Sequence, residues 1–380
     1  MLMTSLYLHI PFCARKCPYC DFFSTDRHSP AVLAEYVDLL LKQLELAAAA
    51  GTWSGPLTTV FFGGGTPSLL APPQIGRILQ AAAAHFGFVA DCEISLEANP
   101  GTLSPQSLAG YRAVGINRLS LGAQSLDDRA LAQLGRIHSA AEIRQAVAWS
   151  RAAGFDNLGL DLIYARSGQS PADLERELVA FLALEPEHLS CYGLSVEEDT
   201  PFHAFQRRGE LALPDEQSYA RQFVLLHEHL AEAGFGHYEI SNYARPGRKC
   251  RHNLRYWRRR GCLALGAGAH AFDPAGWGRR LAVPGELAAY RQALEVGQDP
   301  LLELESFDRT GAMAETLYLG LRTAEGVADR DFSVRFGESL GEHFAPAIAR
   351  AGSHLHHENG RWTFDLSGWL LFDHLILPFL

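Results

Sequence analysis

Cys13, Cys17 and Cys20 fall within eight residues in a C-x3-C-x2-C arrangement, and they are three of the seven cysteines in the chain. In a reducing compartment, thiols clustered like this point to a metal or to catalysis more than to disulfides. A structural zinc site closes a tetrahedron with four ligands, and the only local candidate for a fourth is His9. A [4Fe-4S] cube held by three thiolates leaves one iron open to a ligand that is not a protein side chain. The spacing therefore predicts an iron-sulfur cluster, with zinc as the alternative, and raises the question of what binds the open iron.

A second set of residues bears on that question. Gly63, Gly64, Gly65, Thr66, Pro67 and Ser68 follow an apolar run, Glu97 and Asn99 follow the next, and Gln124 and Asp161 close two more. Glycines let backbone groups approach a charged ligand closely, and a carboxylate can hold ribose hydroxyls. Taken alone, the three glycines are equally a strand-to-helix turn, and either acid is more often a cap or half of an ion pair.

These residues need a frame that brings strand ends together. Short apolar or β-branched runs at 6–10, 58–62, 93–97, 118–121, 158–163, 188–194 and 237–240 predict strands. Helical spacing between them, at 31–50, 72–85, 105–114, 141–153, 171–184 and 215–233, comes with prolines near the starts and with Gly51, Gly115, Gly154 and Gly234 as stops. The alternation predicts an α/β protein with a parallel sheet. A partial (β/α) TIM-like barrel is the form that gathers the carboxyl ends of the strands at one mouth. After residue 284 the alternation ends. Helices at 305–322 and 340–351, a hairpin at 354–364 turning at Asn359-Gly360, and a last helix at 366–380 predict a small α+β, winged-helix-like C-terminal domain.

The composition is that of a globular protein: 380 residues, 47% hydrophobic and 20% charged, with a formal net charge of -10. An acidic chain with no basic tract beyond Arg255 and Arg258–Arg260 argues against nucleic acid as a partner. No apolar run reaches the roughly 20 residues of a membrane span, and the first ten residues do not read as a signal peptide, so a cytoplasmic location is expected. His354, His356 and His357 read as alternate residues of an exposed hairpin. Cys92, Cys191 and Cys262 read as small buried hydrophobes, and Cys250 as a passive thiol.

The cysteine loop resembles that of the radical S-adenosylmethionine (SAM) enzymes. Within that group, the stretch Tyr7 to Cys13, the run Gly63 to Ser68, and the segments 93–97 and 118–124 resemble the family of oxygen-independent coproporphyrinogen III oxidase and its relatives, over nearly the whole chain. The resemblance implies that Cys13, Cys17 and Cys20 hold a [4Fe-4S] cluster with Tyr7 and Tyr19 beside it. It implies that SAM chelates the open iron, with Gly64, Gly65 and Thr66 at its methionyl amine, Glu97 and Asp161 on the ribose side, and Gln124 and Arg136 at the remaining polar edges. Ser195 and Phe272 align more loosely. It further implies that one electron from a reductant could cleave SAM to a 5'-deoxyadenosyl radical.

Two departures point away from the oxidase. Phe22 stands where the oxidase has a further cysteine, and this chain begins almost at its first strand, where the oxidase has an N-terminal extension. His252-Asn253-Leu254-Arg255-Tyr256-Trp257, after Tyr238 to Ala244, resembles the H-N-x-x-Y-W signature of the haem chaperone branch, HemW. That implies haem binding by His252, Tyr256 and Trp257, with Arg251, Arg255 and Arg258 near the propionates and acceptor haemoproteins, respiratory ones among them, as partners. A cluster-dependent homodimer is also expected. The plain alternative is that His252 caps a turn and the aromatics belong to the barrel's closing core. The expected division is 1–245 for the barrel, 246–290 for a barrel-closing segment and 291–380 for the C-terminal domain. Ala165-Arg166-Ser167 departs from the Gly-Leu-Pro that relatives usually carry after Tyr164.

Overall fold

The structure, a computed structural model, describes residues 4–380. Six parallel strands lie side by side in chain order: β1 (Thr4–Ile10), β2 (Leu57–Gly64), β3 (Phe88–Ala98), β4 (Arg118–Gln124), β5 (Leu158–Tyr164) and β6 (His188–Gly193). Between them run α1 (Pro30–Ala49), α2 (Pro72–Phe86), α3 (Pro105–Ala113), the short α4 (Asp128–Gln133), α5 (Ala140–Ala152) and α6 (Pro171–Leu182). Ser29, Ser104, Ser139 and Ser170 cap α1, α3, α5 and α6 through their hydroxyls, and the expected glycine stops Gly51, Gly115 and Gly154 follow at positive φ.

The strands carry a two-residue alternation. Leu6, Leu8, Val60, Phe62, Leu96, Leu119, Leu121, Leu158, Leu160 and Leu162 are fully buried in the main core. The residues between them, among them Tyr7, Phe61, Glu97, Arg118, Ser120, Asp161, His188 and Ser190, line the interior of the half-barrel. Apolar side chains thus hold the helices, and the opposite face is left to polar ones.

The seventh expected strand is displaced. After α7 (Pro201–Arg207) and α8 (Glu216–Glu232), β7 (Gly236–Glu239) makes a tight hairpin with β8 (Asn242–Ala244), and β8 inserts antiparallel between β6 and β7. Buried Glu239 accepts the Asn242 side-chain amide and closes the turn. Four strands went unforeseen on the other side. Following α9 (Arg251–Trp257), β9 (Cys262–Leu265) pairs parallel with β1, and β10 (His270–Asp273), β11 (Arg279–Ala282) and, beyond α10 (Leu287–Glu295), β12 (Leu302–Ser306) continue antiparallel. The result is one open sheet of twelve strands, which runs without a break across the expected segment boundaries at 245 and 290.

The C-terminal region contains helices and a three-stranded sheet. The expected helix over 305–322 is shorter: Glu305 belongs to β12, and α11 (Arg309–Gly320) starts after Asp308, whose side chain accepts the Gly311 N–H at 2.7 Å. β13 (Val327–Ala328) leads into α12 (Asp329–Phe336). The helix expected over 340–351 breaks at Phe344 into α13 (Leu340–His343) and α14 (Ala345–Ala351), because Pro346 in the new first turn has no N–H to continue the old one. The hairpin β14 (Leu355–Glu358) and β15 (Arg361–Phe364) turns at Asn359 and Gly360, with φ of 52° and 70°, as the Asn-Gly pair predicts. The last expected helix is likewise broken, into α15 (Leu366–Leu370), α16 (Phe372–Leu375) and a single 3-10 turn holding Pro378.

The altered loop after β5 has a structural explanation. Arg166 and Glu177, each 7% exposed, form a buried pair at 2.7 Å. Arg166 also donates to the Ile163 carbonyl at 2.6 Å, while Glu177 accepts from Ser125, from the Leu126 N–H and from Gln169. The guanidinium, which also reaches the Gln124 carbonyl at 3.5 Å, thereby ties the ends of β4 and β5 to the middle of α6 beside the barrel mouth. Removing one partner leaves the other charge buried, so Arg166→Ala or Glu177→Ala should each lower unfolding stability by about 3–5 kcal/mol. Urea titration followed by circular dichroism measures this, and a loss under about 1 kcal/mol would instead match a solvated surface pair.

Candidate cluster pocket and inner chamber

The cysteine loop leaves β1 at Pro11 and is closed at its base by two backbone bonds, Thr25 N–H to the Pro11 carbonyl at 2.8 Å and Cys13 N–H to the Thr25 carbonyl at 2.9 Å. Its three thiols are free and half-buried, and burial pushes those of Cys13 and Cys20 up. Arg136 reaches in from the segment after α4, with one nitrogen 3.4 Å from Cys17 Sγ and another 2.8 Å from the Gly122 carbonyl oxygen. The Arg136 guanidinium also works against the upward push of burial on Cys13. Among the described residues no three His, Cys, Asp or Glu side chains stand so as to hold a single metal ion.

One cavity of about 420 Å³ is lined by Cys13, Cys17, Cys20, Tyr19, Gly64, Gly65, Thr66, Glu97, Gln124, Arg136 and Asp161. Of the residues expected at the cluster and SAM, only Tyr7 lies elsewhere. The glycine loop has no room for side chains: a Cβ on Gly64, where φ is 110°, would lie 2.8 Å from the His9 ring, and one on Gly65 would lie 2.7 Å from the Phe12 carbonyl oxygen and 3.0 Å from Cys13 Sγ. The Gly64 N–H donates to Glu97 Oε2 at 3.1 Å, and Ser120 Oγ donates to Asp161 Oδ1 at 3.2 Å. Gln124 holds φ at 67°, and its buried Oε1 has no partner. A backbone cradle, two carboxylates and an orphaned amide oxygen suit a ligand that carries positive charge and hydroxyls, and SAM has both. Ser195 also lines this cavity, whereas Phe272 lies away from it under Arg259.

Below the cavity is a second space of about 180 Å³, which shares Glu97, Ser120, Asp161 and Tyr192 with it. Tyr7, Phe61, Arg118, His188, Ser190, Cys250, His252, Asn253 and Tyr256 complete its wall. Arg118, His188 and His252 were not expected in the barrel interior. Arg118 and His188 were legible only as the polar alternates of apolar strands.

Of the residues expected to meet haem, His252 and Tyr256 share the wall of the inner chamber with their rings 5.3 Å apart, whereas Trp257 does not line it. Glu93 on β3 accepts the backbone N–H groups of Arg251 and His252 at 3.1 and 3.0 Å and so fixes the start of α9 against the barrel. His252 is 1% exposed. Its Nδ1 lies 2.8 Å from Thr59 Oγ1, its ring stacks on Phe61 at 5.0 Å, and burial, with Arg255 adding, pushes its pKa down to about 3. Tyr256 points its hydroxyl at Cys262 Sγ, 3.3 Å away, while Trp257 lies under the Arg322 guanidinium at 5.2 Å. In this conformation the imidazole is therefore closed to haem arriving from outside. The expected propionate partners are also engaged: Arg251 with Asp91 at 2.9 Å, Arg258 with Glu325 at 2.6 Å, and Arg255 with Thr58 Oγ1 at 3.1 Å. The histidines of the C-terminal hairpin diverge as its strands require, His354 and His356 toward Asp365 and His357 toward Asp329. Cys92, Cys191, Cys250 and Cys262 are buried.

Glu97 is pushed up to about 8, first by burial and then by Asp161, while burial also raises Asp161 against the opposing bonds from Ser190 and Ser120. An unfolded glutamate loses its proton near 4.5, so between that pH and 8 the folded protein holds a proton that the unfolded chain has released. Stability contributed by this group therefore falls as pH rises through that window. Gln imitates the protonated acid, so Glu97→Gln should match the wild-type melting temperature near pH 5 and exceed it near pH 9 in the absence of SAM. Parallel melting curves for the two proteins across this range would contradict a buried, protonated Glu97.

The chain matches the Radical SAM superfamily over residues 7–179 and the HemN C-terminal domain over residues 307–371. It is 40% identical over 334 residues to the heme chaperone HemW of Synechocystis sp., covering 86% of this chain and 80% of that one. It is 33% identical over 339 residues to the heme chaperone HemW of Bacillus subtilis, covering 89% and 88%. The solved coproporphyrinogen III oxidase (HemN) of Escherichia coli, described as a radical SAM enzyme, superposes with a TM-score of 0.85 at 22% identity over 100% of this chain and 90% of that one, a likeness of fold. At such identities over most of both chains, this protein belongs to the heme chaperone HemW family within the radical SAM superfamily.

Proposed function

We propose that the protein is a radical SAM-type [4Fe-4S] protein that binds haem and passes it to acceptor haemoproteins in the cytoplasm. The observation that carries this reading is the match to proteins named heme chaperone HemW along both the barrel and the C-terminal region. Cys13, Cys17 and Cys20 hold the cluster, with Tyr19 and Arg136 beside it. Gly64, Gly65 and Thr66 hold the methionyl end of SAM by backbone approach, Glu97 and Asp161 its hydroxyls, and Gln124 a further polar edge. Bound there, the cluster and SAM supply one-electron chemistry when a reductant is present. Phe22, 65% exposed at the cavity wall, replaces a thiol that the oxidase pattern would place there. Haem docking on the folded protein does not draw on His252 as it stands, and a cluster-dependent homodimer remains part of the reading.

The second reading is a SAM-dependent radical enzyme of porphyrin metabolism, and the intact pocket of thiols, glycines and two carboxylates favours it. One anaerobic experiment separates the two. Reconstituted protein is incubated with SAM, reductant and coproporphyrinogen III, and porphyrins and 5'-deoxyadenosine are followed in one chromatogram, with a parallel haem titration and transfer to an apo-haemoprotein. Haem binding and transfer without decarboxylation is the expected result, and decarboxylated porphyrinogen overturns the chaperone reading. Replacing any one of Cys13, Cys17 or Cys20 with Ala should abolish the brown chromophore, and full retention of iron and sulfide in such a variant would require a different ligand set.

A further inference from the structure

The inner chamber concentrates buried polar groups that the proposed function leaves unused. Arg118 and His188 are 2% and 1% exposed, and like His252 each has a ring or guanidinium nitrogen without a hydrogen-bond partner: Nε of Arg118, Nδ1 of His188 and Nε2 of His252. All three residues line the chamber, and the chamber's ceiling, Glu97 and Asp161, is the floor of the cavity above. A buried polar group left unpaired costs about 1–3 kcal/mol, so three around one space mark a built feature.

His252 also bears on the cavity above through packing. Its ring lies 5.0 Å from Phe61 and 6.2 Å from Tyr7, stacked on both. Tyr7 in turn underlies the glycine loop: a Cβ on Gly63 would meet its ring at 2.8 Å. The Tyr7 hydroxyl donates to His9 Nδ1 at 3.2 Å, since His9 Nε2 donates to the Phe23 carbonyl at 2.9 Å. The His9 ring fills the space beside Gly64, which donates to Glu97. An unbroken line of contacts therefore runs from His252 through Tyr7 and His9 to the glycine cradle, and a second runs across the chamber to Glu97 and Asp161.

We propose that His252 is a positioning residue for the SAM pocket, setting the height of the glycine loop through Tyr7 and facing the two carboxylates across the inner chamber, and that it is not the axial ligand of haem. This rests on the reading that the glycine loop, Glu97 and Asp161 hold SAM. His252 supplies a flat ring to stack on and one nitrogen to the chamber, and the two contributions separate by substitution. Ala removes both, and Phe keeps the ring but loses both nitrogens.

The test uses protein reconstituted with its cluster, with iron and sulfide content measured for each variant. SAM affinity is read by equilibrium dialysis and haem affinity by absorbance titration with hemin. His252→Ala should weaken SAM binding about tenfold or more and His252→Phe about threefold, with haem affinity within about twofold of wild type and cluster content retained. The Phe variant preserves the packing volume and gives the readout should the Ala variant fail to fold. SAM affinity within twofold of wild type in both variants overturns the role of His252. So does a tenfold loss of haem affinity with SAM binding intact, which would restore the imidazole as a haem contact, and so does equal loss of both ligands. Wild-type protein that carries its cluster and binds no SAM overturns instead the pocket assignment on which the proposal rests.

Discussion

The inner face of the half-barrel is a polar surface enclosed by protein, and the organisation of the site follows from how charge is held there. Six strands bury their apolar residues against helices, so the alternate positions must face inward. They bring a guanidinium, two carboxylic acids and the His188 imidazole into a largely buried space, to which α9 adds the imidazole of His252. Burial disfavours charge, which keeps His252 and His188 neutral and holds a proton on Glu97. The same low polarity makes any charge that a ligand brings a strong determinant of what binds. Hydroxyls, backbone groups and carboxyl groups in such a setting favour a polar, hydroxylated ligand over a flat hydrophobic one.

The sequence disclosed the parts of this site whose signals are local. A three-thiol loop after a strand, a glycine run after the next and acids at strand ends are short-range patterns, and the fold brings Cys13, Gly65, Glu97 and Asp161 to one cavity. Residues made functional by distant partners were not legible. The role of His252 is read from a resemblance of its motif, with a turn cap as the alternative, yet its position is set by Glu93 and Thr59, some 160 and 190 residues away in sequence. The strands β8 to β12 were missed for a related reason. They have three to five residues each, too few to show a period, and they form because an existing sheet edge offers partners.

The loop after β5 shows how one local change is absorbed. Where relatives usually have Gly-Leu-Pro, Ala165 here adopts φ of 55°, a conformation that favours glycine. The strain is offset by Arg166, whose side chain turns inward to Glu177 and to the carbonyl of Ile163, a residue that lines the cluster cavity. These bonds lie on the wall of the mouth formed by β4, β5 and α6 and do not involve the thiols or the glycine loop. The substitution therefore alters the wall of the cavity on the side of Ile163, away from the glycine loop.

The seven-residue helix α9 connects this chemistry to the rest of the protein. Its first turn places His252 over the barrel floor, and its last turn offers Trp257 to Arg322 and Arg258 to Glu325, both at the end of α11 or just beyond. Backbone bonds from Ile240 to Arg322 and from Ala324 to Tyr238 fasten the same junction. The C-terminal region is therefore joined to the wall of the inner chamber at two places, α9 and the β7–β8 hairpin, neither of which is the cysteine loop. The register of α9 is thus fixed from both sides, by Glu93 and Thr59 in the barrel and by Arg322 and Glu325 at the start of the C-terminal region, so the place of His252 in the chamber wall depends on both.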